Sequence, residues 1–280
     1  MIIRAFAKVN IALQILGRRE DGYHILKSFM QALPDLYDVI EIVESDETEI
    51  TCSDETLSCN DDNLAAKALK ALNKKAKVHI EKHIPIAAGL AGGSADAAAV
   101  IYAFEGASPR GYEIAAALGS DVPFSLMAIQ NSGRCAAIAT GTGTELTPCN
   151  PISGKIITVT PNIAVSTPAV YKMYDEMVER GLLSARGTIN EERLDSNSIS
   201  GAQAFSGGEA RLGAQPKLDA RDFALACGND LQAPAIRLCP QIQDTLDKLK
   251  QPHPTFGQAI KVQQSGSGPT CFAIYKEETK

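Results

Sequence analysis

The chain has 280 residues, 45% hydrophobic and 21% charged, which suits one large or two smaller globular domains and argues against global disorder. A net charge of −6 and a pI near 5.3 argue against a nucleic-acid binder that works through a basic surface. With that acidic balance any phosphate-bearing ligand must be met locally, by loops and single lysines, and no apolar run approaches the ~18 residues of a membrane span.

The first predicted strand is the clearest local signal. Ile3, Ala5, Ala7, Val9, Ile11, Leu13 and Ile15 are all apolar, so every odd position can face a core. Lys8 and Asn10 share the other face with Arg4, Phe6 and Gln14, as a solvated sheet face or part of a site. The stretch Gly17 to Gly22 reads as a turn that delivers Tyr23 and His24 to the next segment, and Tyr37–Glu44 alternates as a strand. Ser45–Asp61 is acidic and loop-like, with room for one short strand. Asp62 and Asn63 can cap a helix carrying Leu64, Ala65, Ala68, Leu69 and Leu72 at helical spacing.

Lys77–Lys82 alternates as a half-buried strand, and an Ala-rich helix runs from Ala97 to about Phe104. Between them lies Pro85-Ile86-Ala87-Ala88-Gly89-Leu90-Ala91-Gly92-Gly93-Ser94-Ala95-Asp96. Strand, small-residue loop and helix can build a phosphate cradle, because backbone N–H groups can approach an anion at a helix N-terminus. The spacing matches neither G-x-G-x-x-G nor the P-loop, and a plain tight turn remains the alternative. Ser108 and Pro109 open a helix that ends near Gly119. Asp121, in the loop Gly119-Ser120-Asp121-Val122-Pro123-Phe124, is either a helix cap or a site residue.

Gly141–Glu145 reads as a hairpin turn after a strand at Cys135–Ala139, and a strand at Lys155–Thr160 begins a second half. Thr167 as N-cap and Pro168 at N1 open a helix closed by Gly181; on that helix Tyr171 is a core aromatic or a binding face. Residues 184–217, rich in Ser, Gly, Ala and Gln, read as a mobile insertion or irregular loop. Helices at about 220–227 and 240–250 precede a strand–glycine turn–strand unit, Ala259–Gln263, Ser265–Pro269 and Thr270–Tyr275. The seven scattered cysteines show no Cys-x-x-Cys pair, and the four histidines lack metal-ligand spacing. With no signal-peptide hydrophobic region after Met1, free thiols predict a cytoplasmic protein.

In this order, the segments at 85–96 and 265–269 resemble the phosphate loop and C-terminal glycine motif of the GHMP kinase superfamily of small-molecule kinases. Ala7-Lys8-Val9-Asn10, Gly17 to His24, Asp62-Asn63-Leu64, Gly119 to Phe124 and Ser166-Thr167-Pro168 are similar to the branch acting on cytidine-diphosphate-linked methylerythritol in non-mevalonate isoprenoid synthesis. The resemblance spans residues 7 to 275. It implies an α+β, two-domain GHMP kinase fold, with a ribosomal-S5-like α/β domain over 1–152 and an α/β sandwich domain over 153–280.

It further implies ATP and Mg2+ as cofactors and phosphorylation of the substrate's 2-hydroxyl. Asp121 takes the catalytic-base position and Lys8 pairs with it. Residues Pro85 to Ser94 fall on the ATP side, Gly89 to Ser94 wrapping the triphosphate, with Asn63, Lys82 and Asp96 near the nucleotide and Ser94 as a magnesium ligand. Asn10, Tyr23, His24, Thr167 and Tyr171 fall on the substrate side, Tyr23 and His24 holding the cytosine with Tyr171 as a second aromatic face and Thr167 beside them. A small-molecule partner is expected, with no nucleic acid and no membrane, in a monomer or weak dimer. The alternatives are a homoserine- or mevalonate-type kinase of the same superfamily, a catalytically silent nucleotide-binding regulator, and an RNA-binding module, which the acidic charge disfavours.

Overall fold

The computed structural model describes residues 1–183 and 219–276. The 184–217 insertion expected from composition lies outside the described residues. In chain order the first half carries β1 (Ile2–Arg18), β2 (His24–Glu44), β3 (Glu49–Cys52), α1 (Leu64–Leu72), β4 (Ala76–Glu81) and α2 (Gly92–Glu105). It continues with α3 (Pro109–Leu118), α4 (Val122–Gln130), β5 (Ala136–Thr140) and β6 (Glu145–Cys149). The second half carries β7 (Lys155–Val159), α5 (Thr167–Glu179), α6 (Ala220–Ala226), α7 (Gln232–Leu238), α8 (Gln241–Leu249), β8 (Lys261–Gln264) and β9 (Cys271–Tyr275).

β1 and β2 are antiparallel along almost their whole length, from Ile2 opposite Glu41 to Arg18 opposite His24. The first of three register shifts lies opposite the stretch containing Pro34, where a residue without an N–H can be tolerated. The far edge of β2 is divided: β4 pairs with Val39–Glu44 and β5 with Ser28–Gln31. β3 adds parallel to β4 and β6 antiparallel to β5, which completes a six-stranded sheet. β7, β9 and β8 form a separate antiparallel sheet with β9 in the middle.

The odd face of β1 packs as expected: Ala5, Ala7, Val9 and Ile11 join Leu69 of α1, Ala97 to Ile101 of α2, and Val122 and Leu126 of α4. Beyond the exposed Arg4, the even face is not solvated. Phe6 packs with Met30, Phe124 and Met127, and Lys8, Asn10 and Gln14 are all buried. Tertiary cover removes an alternation that is real in the sequence. The same cover explains why β2 begins at His24 although alternation starts only at Tyr37: residues 28–33 are buried on both faces, and such strands do not alternate.

β9 is covered twice as well. Phe272 and Ile274 join the first core, while Cys271, Ala273 and Tyr275 join a second with Leu231, Ile242 and Leu246. β1 reaches across to the second half along its free edge. Leu13 N–H donates to Gly228 O (3.0 Å), Asp230 N–H to Leu13 O (2.9 Å), and Ile15 N–H to Asp230 Oδ2 (2.8 Å).

Helix ends follow local chemistry closely. Asn63 caps α1, accepting from Ala65 N at 2.9 Å, and Ser108 caps α3, accepting from Gly111 N at 3.0 Å. Three departures are informative. α2 starts at Gly92, so Ser94 and Asp96 are helical rather than loop residues. The N-cap of α5 is Ser166, one residue before the expected Thr167, and its hydroxyl makes no capping bond. α4 takes in Val122, Pro123 and Phe124 of the expected loop and runs on to Gln130; with Val122 to Ile129 all buried, a helix apolar on every side has no amphipathic period to detect.

Candidate active site

The stretch after β4 becomes a cradle through its backbone. Ala87, Gly89 and Ala91 take left-handed φ values of +56°, +80° and +61° in alternation, a pattern that turns successive N–H groups toward one side. Ala91 ends the loop as the N-cap of α2, and no side chain caps the helix there. The first α2 amides and the positive end of its dipole are therefore available to an anion. Pro85 to Gly89, Ala91, Gly92, Gly93 and Ser94 line a cleft; Leu90 instead points into the core.

The tight-turn reading also holds for one position. A Cβ on Gly89 would stand 2.7 Å from Gly268 Cα, and one on Gly268 would overlap the Gly89 backbone. The two glycine segments thus meet main chain to main chain. Lys8 N–H donates to Leu90 O (3.1 Å) and Thr270 N–H to Ala88 O (3.2 Å), which seats the loop between β1 and the Ser265–Thr270 turn.

Lys8 emerges from β1 directly beneath this loop. Its ammonium is 2.6 Å from Asn10 Oδ1, 3.3 Å from Gly89 O and 3.4 Å from Asp121 Oδ2. Lys8 is 4% exposed, whereas the Asp121 side chain is 34% exposed and faces the cleft. Asp121 occupies the N-cap position of α4 yet makes no capping bond, so the carboxylate is turned to the lysine. Asn10 is held by its amide: Nδ2 donates to Ser28 Oγ (2.8 Å), and Ser28 Oγ donates to Ala12 O (2.8 Å). The Asn10 backbone N–H donates to Ser265 Oγ at 3.1 Å.

Of the three residues expected near the nucleotide, only Lys82 lines the cleft. Its ammonium bonds Asp38 Oδ2 (2.5 Å) and Asp96 Oδ2 (2.9 Å), all three side chains being buried. Burial pushes the Asp96 carboxyl up to about 7 against the pull of Lys82, with Asp38 adding to the rise. Burial works to lower Lys82, but the two carboxylates hold it above its ordinary value. The Asn63 side chain is committed to Ala65 N and Ser58 O at the start of α1.

On the opposite wall, the His24 and Tyr171 rings lie 4.9 Å apart at 30°, and His24 Nε2 bonds Asp175 Oδ1 at 2.7 Å. Arg18 Nη1 lies 3.3 Å from the other Asp175 oxygen. Burial and then the Asp121 charge push the Tyr171 hydroxyl above its ordinary value, which ties this wall electrostatically to the Lys8–Asp121 pair. Tyr23 is 67% exposed at the cleft mouth, and the ring neighbour of Tyr171 is His24. Thr167 Oγ1 bonds Ser267 Oγ at 2.7 Å, closing α5 onto the C-terminal glycine turn.

Sequence reasoning missed Asp38, Ser28 and Asp175. Each is a polar residue whose partner lies in another element; Asp38, polar in the phase of the buried Ile40 and Ile42, carried the one weak signal. The cleft encloses about 1280 Å³, above the roughly 300–1,000 Å³ usual for one small ligand, so two can be held side by side.

Residues 63–128 match the model for the GHMP kinases N terminal domain, and residues 214–280 match that for the GHMP kinases C terminal domain. A 4-diphosphocytidyl-2-C-methyl-D-erythritol kinase from Caldanaerobacter subterraneus subsp. tengcongensis is 33% identical, covering 99% of this chain and 89% of its own. One of the same name from Novosphingobium aromaticivorans is 37% identical over 97% of this chain and 83% of its own. A crystal structure of 4-(cytidine 5'-diphospho)-2C-methyl-D-erythritol kinase superimposes with a TM-score of 0.63 at 26% identity, covering 98% and 90% of the two chains. With an α+β fold of two packed sheets and the loop, lysine and aspartate at one cleft, the chain belongs to the 4-diphosphocytidyl-2-C-methyl-D-erythritol kinase family of the GHMP kinases.

Proposed function

We propose that the protein is an ATP-dependent kinase that phosphorylates the 2-hydroxyl of 4-diphosphocytidyl-2-C-methyl-D-erythritol in the non-mevalonate isoprenoid precursor pathway. The observation that carries this reading is the Lys8–Asp121 pair, 3.4 Å apart between an uncapped helix N-terminus and an aromatic wall. The division at 152/153 assigns the phosphate loop to the first domain and the α5 wall to the second, with the cleft between them.

The residues present fit a nucleoside triphosphate: a backbone nest, the first turn of α2 and Lys8 border the cleft with positive potential, and Lys82, held by Asp38 and Asp96, lines it as well. Among the described residues no cluster of three or more His, Cys, Asp or Glu could hold a metal ion. Magnesium would accordingly be carried largely by phosphate oxygens and waters, with the Ser94 hydroxyl within the first turn of α2 as the protein's contribution.

With magnesium-bound ATP in the cleft, the acceptor 2-hydroxyl takes the terminal phosphoryl group and ADP leaves. Phosphoryl transfer asks mainly for positioning and charge stabilisation, and the chain's own groups divide that work. Asp121 Oδ2 accepts the hydroxyl proton. Lys8 Nζ orients that carboxylate and stabilises negative charge as it develops on the transferred group. Asn10 keeps the ammonium in place from the substrate side. The exposed Tyr23 ring and the Tyr171–His24 pair offer apolar faces to a cytosine, and Thr167 borders the same space.

A coupled assay with ATP and a panel of the cytidylylated substrate, homoserine, mevalonate and galactose tests the proposal. Turnover is expected only with the cytidylylated substrate. Turnover with homoserine or mevalonate, and none with it, would replace this reading by another branch of the superfamily.

A further inference from the structure

β4 leaves its ladder with β2 after the pair Val39–Glu81, and the chain turns away to become the phosphate loop. The next amides lose their strand partners and need others. Asp38, the β2 residue just beyond the last ladder pair, supplies them. Its Oδ1 accepts from His83 N (2.6 Å) and Ile84 N (2.8 Å), while its Oδ2 takes the Lys82 ammonium at 2.5 Å. The same ammonium reaches Asp96 Oδ2 on α2 at 2.9 Å. A Cβ on Gly92 would lie 3.0 Å from Lys82 Nζ, so the ammonium rests against the first residue of that helix.

One buried carboxylate therefore touches the strand that enters the loop and, through one lysine, the helix that leaves it. We infer that Asp38 is a positioning residue for the nucleotide: with Lys82 and Asp96 it holds both ends of the 85–91 loop at a set separation, aiming the first α2 amides before ATP arrives. The inference rests on the kinase reading for the identity of the ligand. Asp38 does not line the cleft, so its effect must pass through the groups it holds.

The arrangement is a costly way to build a mere structural anchor. Two carboxylates share one lysine in a dry interior, where uncompensated charge is penalised. Asp96 Oδ1 is buried without a hydrogen-bond partner. What the cluster adds over an apolar plug is direction: a carboxylate with three fixed contacts, two amides and one ammonium, leaves loop and helix one orientation.

The test measures magnesium-ATP binding by calorimetry without acceptor, together with KM for both substrates and kcat, in wild type, Asp38→Asn and Asp96→Asn. Asp38→Asn keeps the shape but loses the charge that holds Lys82; ATP affinity should fall about tenfold with a matching rise in KM for ATP. KM for the cytidylylated substrate should stay within about twofold, since the wall that meets it is untouched. Asp96→Asn should act in the same direction by a smaller factor, and it decides the matter if Asp38→Asn does not fold. A folded variant that binds ATP as wild type does, or one in which both KM values rise together, overturns the inference. Wild-type protein that binds no ATP overturns the kinase reading and this inference with it, whereas ATP binding unchanged by the substitutions overturns this inference alone.

Discussion

At the scale of single residues, the Lys8–Asp121 pair and the Lys82 cluster contrast instructively. Asp121 sits where a helix would welcome a capping carboxylate, yet it makes no capping bond and faces Lys8 across 3.4 Å. Asp121→Asn and Lys8→Ala should lower kcat/KM by about 10² to 10⁴, with the thermal midpoint of Asp121→Asn nearly unchanged because no cap is lost. Wild-type turnover in both purified variants would remove the pair from the chemistry. Asp96 behaves in the opposite way. Its folded-state value, about 7, lies above the 3.8 of an ordinary aspartate, so the stability it contributes is present below pH 4 and lost as pH rises through 7. Asp38, Lys82 and the Cys52 thiol share its electrostatic surroundings. The Asp96→Asn minus wild-type difference in thermal midpoint should therefore grow from pH 4 to pH 7 and level off above. A flat difference across that range would place Asp96 outside this linkage.

At the scale of elements, capping chemistry separates ends that stabilise a helix from ends that serve the cleft. Ser108 Oγ accepts from Gly111 N, so Ser108→Ala should cost about 1 kcal/mol in denaturant unfolding and leave turnover alone. Ser166, at the equivalent position of α5, makes no such bond, and Ser166→Ala should be near neutral in the same measurement. The hydroxyl that matters there is the next one: Thr167 Oγ1 bonds Ser267 Oγ, joining α5 to the glycine turn. α2 has no side-chain cap either. Its first amides are left for a ligand, as a phosphate site requires.

At the scale of the molecule, the two halves meet where two glycine segments touch. Gly89 comes from the loop after β4 and Gly268 from the turn between β8 and β9, and neither has room for a Cβ. Gly89→Ala and Gly268→Ala should each lower the thermal midpoint and raise KM for ATP. Combined, they should cost less than the sum, because the loops need to part only once. Strict additivity would mean that the segments do not share this contact. β1 is the other shared part: its odd face packs under α1 and α2, and its free edge bonds Gly228 and Asp230 of the second half. Among the described residues no helix is long and apolar enough to cross a membrane.

Local chemistry in the sequence was enough for β1, for the α1 and α3 caps and for the loop–helix unit at 85–104; the expected turn at Gly17–Gly22 is shorter, since Gly17 and Arg18 still pair with β2. These depend on neighbours a few residues apart. The motif order likewise singled out Lys8 and Asp121, which the fold brings to 3.4 Å, and His24 and Tyr171, whose rings it brings to 4.9 Å, whereas Tyr23, expected to pair with Tyr171, stays exposed. Tertiary structure alone decided what covers the even face of β1, where α4 lies, and which polar side chains are spent on architecture. Asp38 bonds groups 44 to 46 positions away, and His24 meets Asp175 at a separation of 151. Such contacts arise only when sheets and helices pack, because no periodicity along the chain encodes a partner so distant. Asn63 could be read as a cap or as a nucleotide contact from its motif; its hydrogen bonds to Ala65 and Ser58 make it the cap.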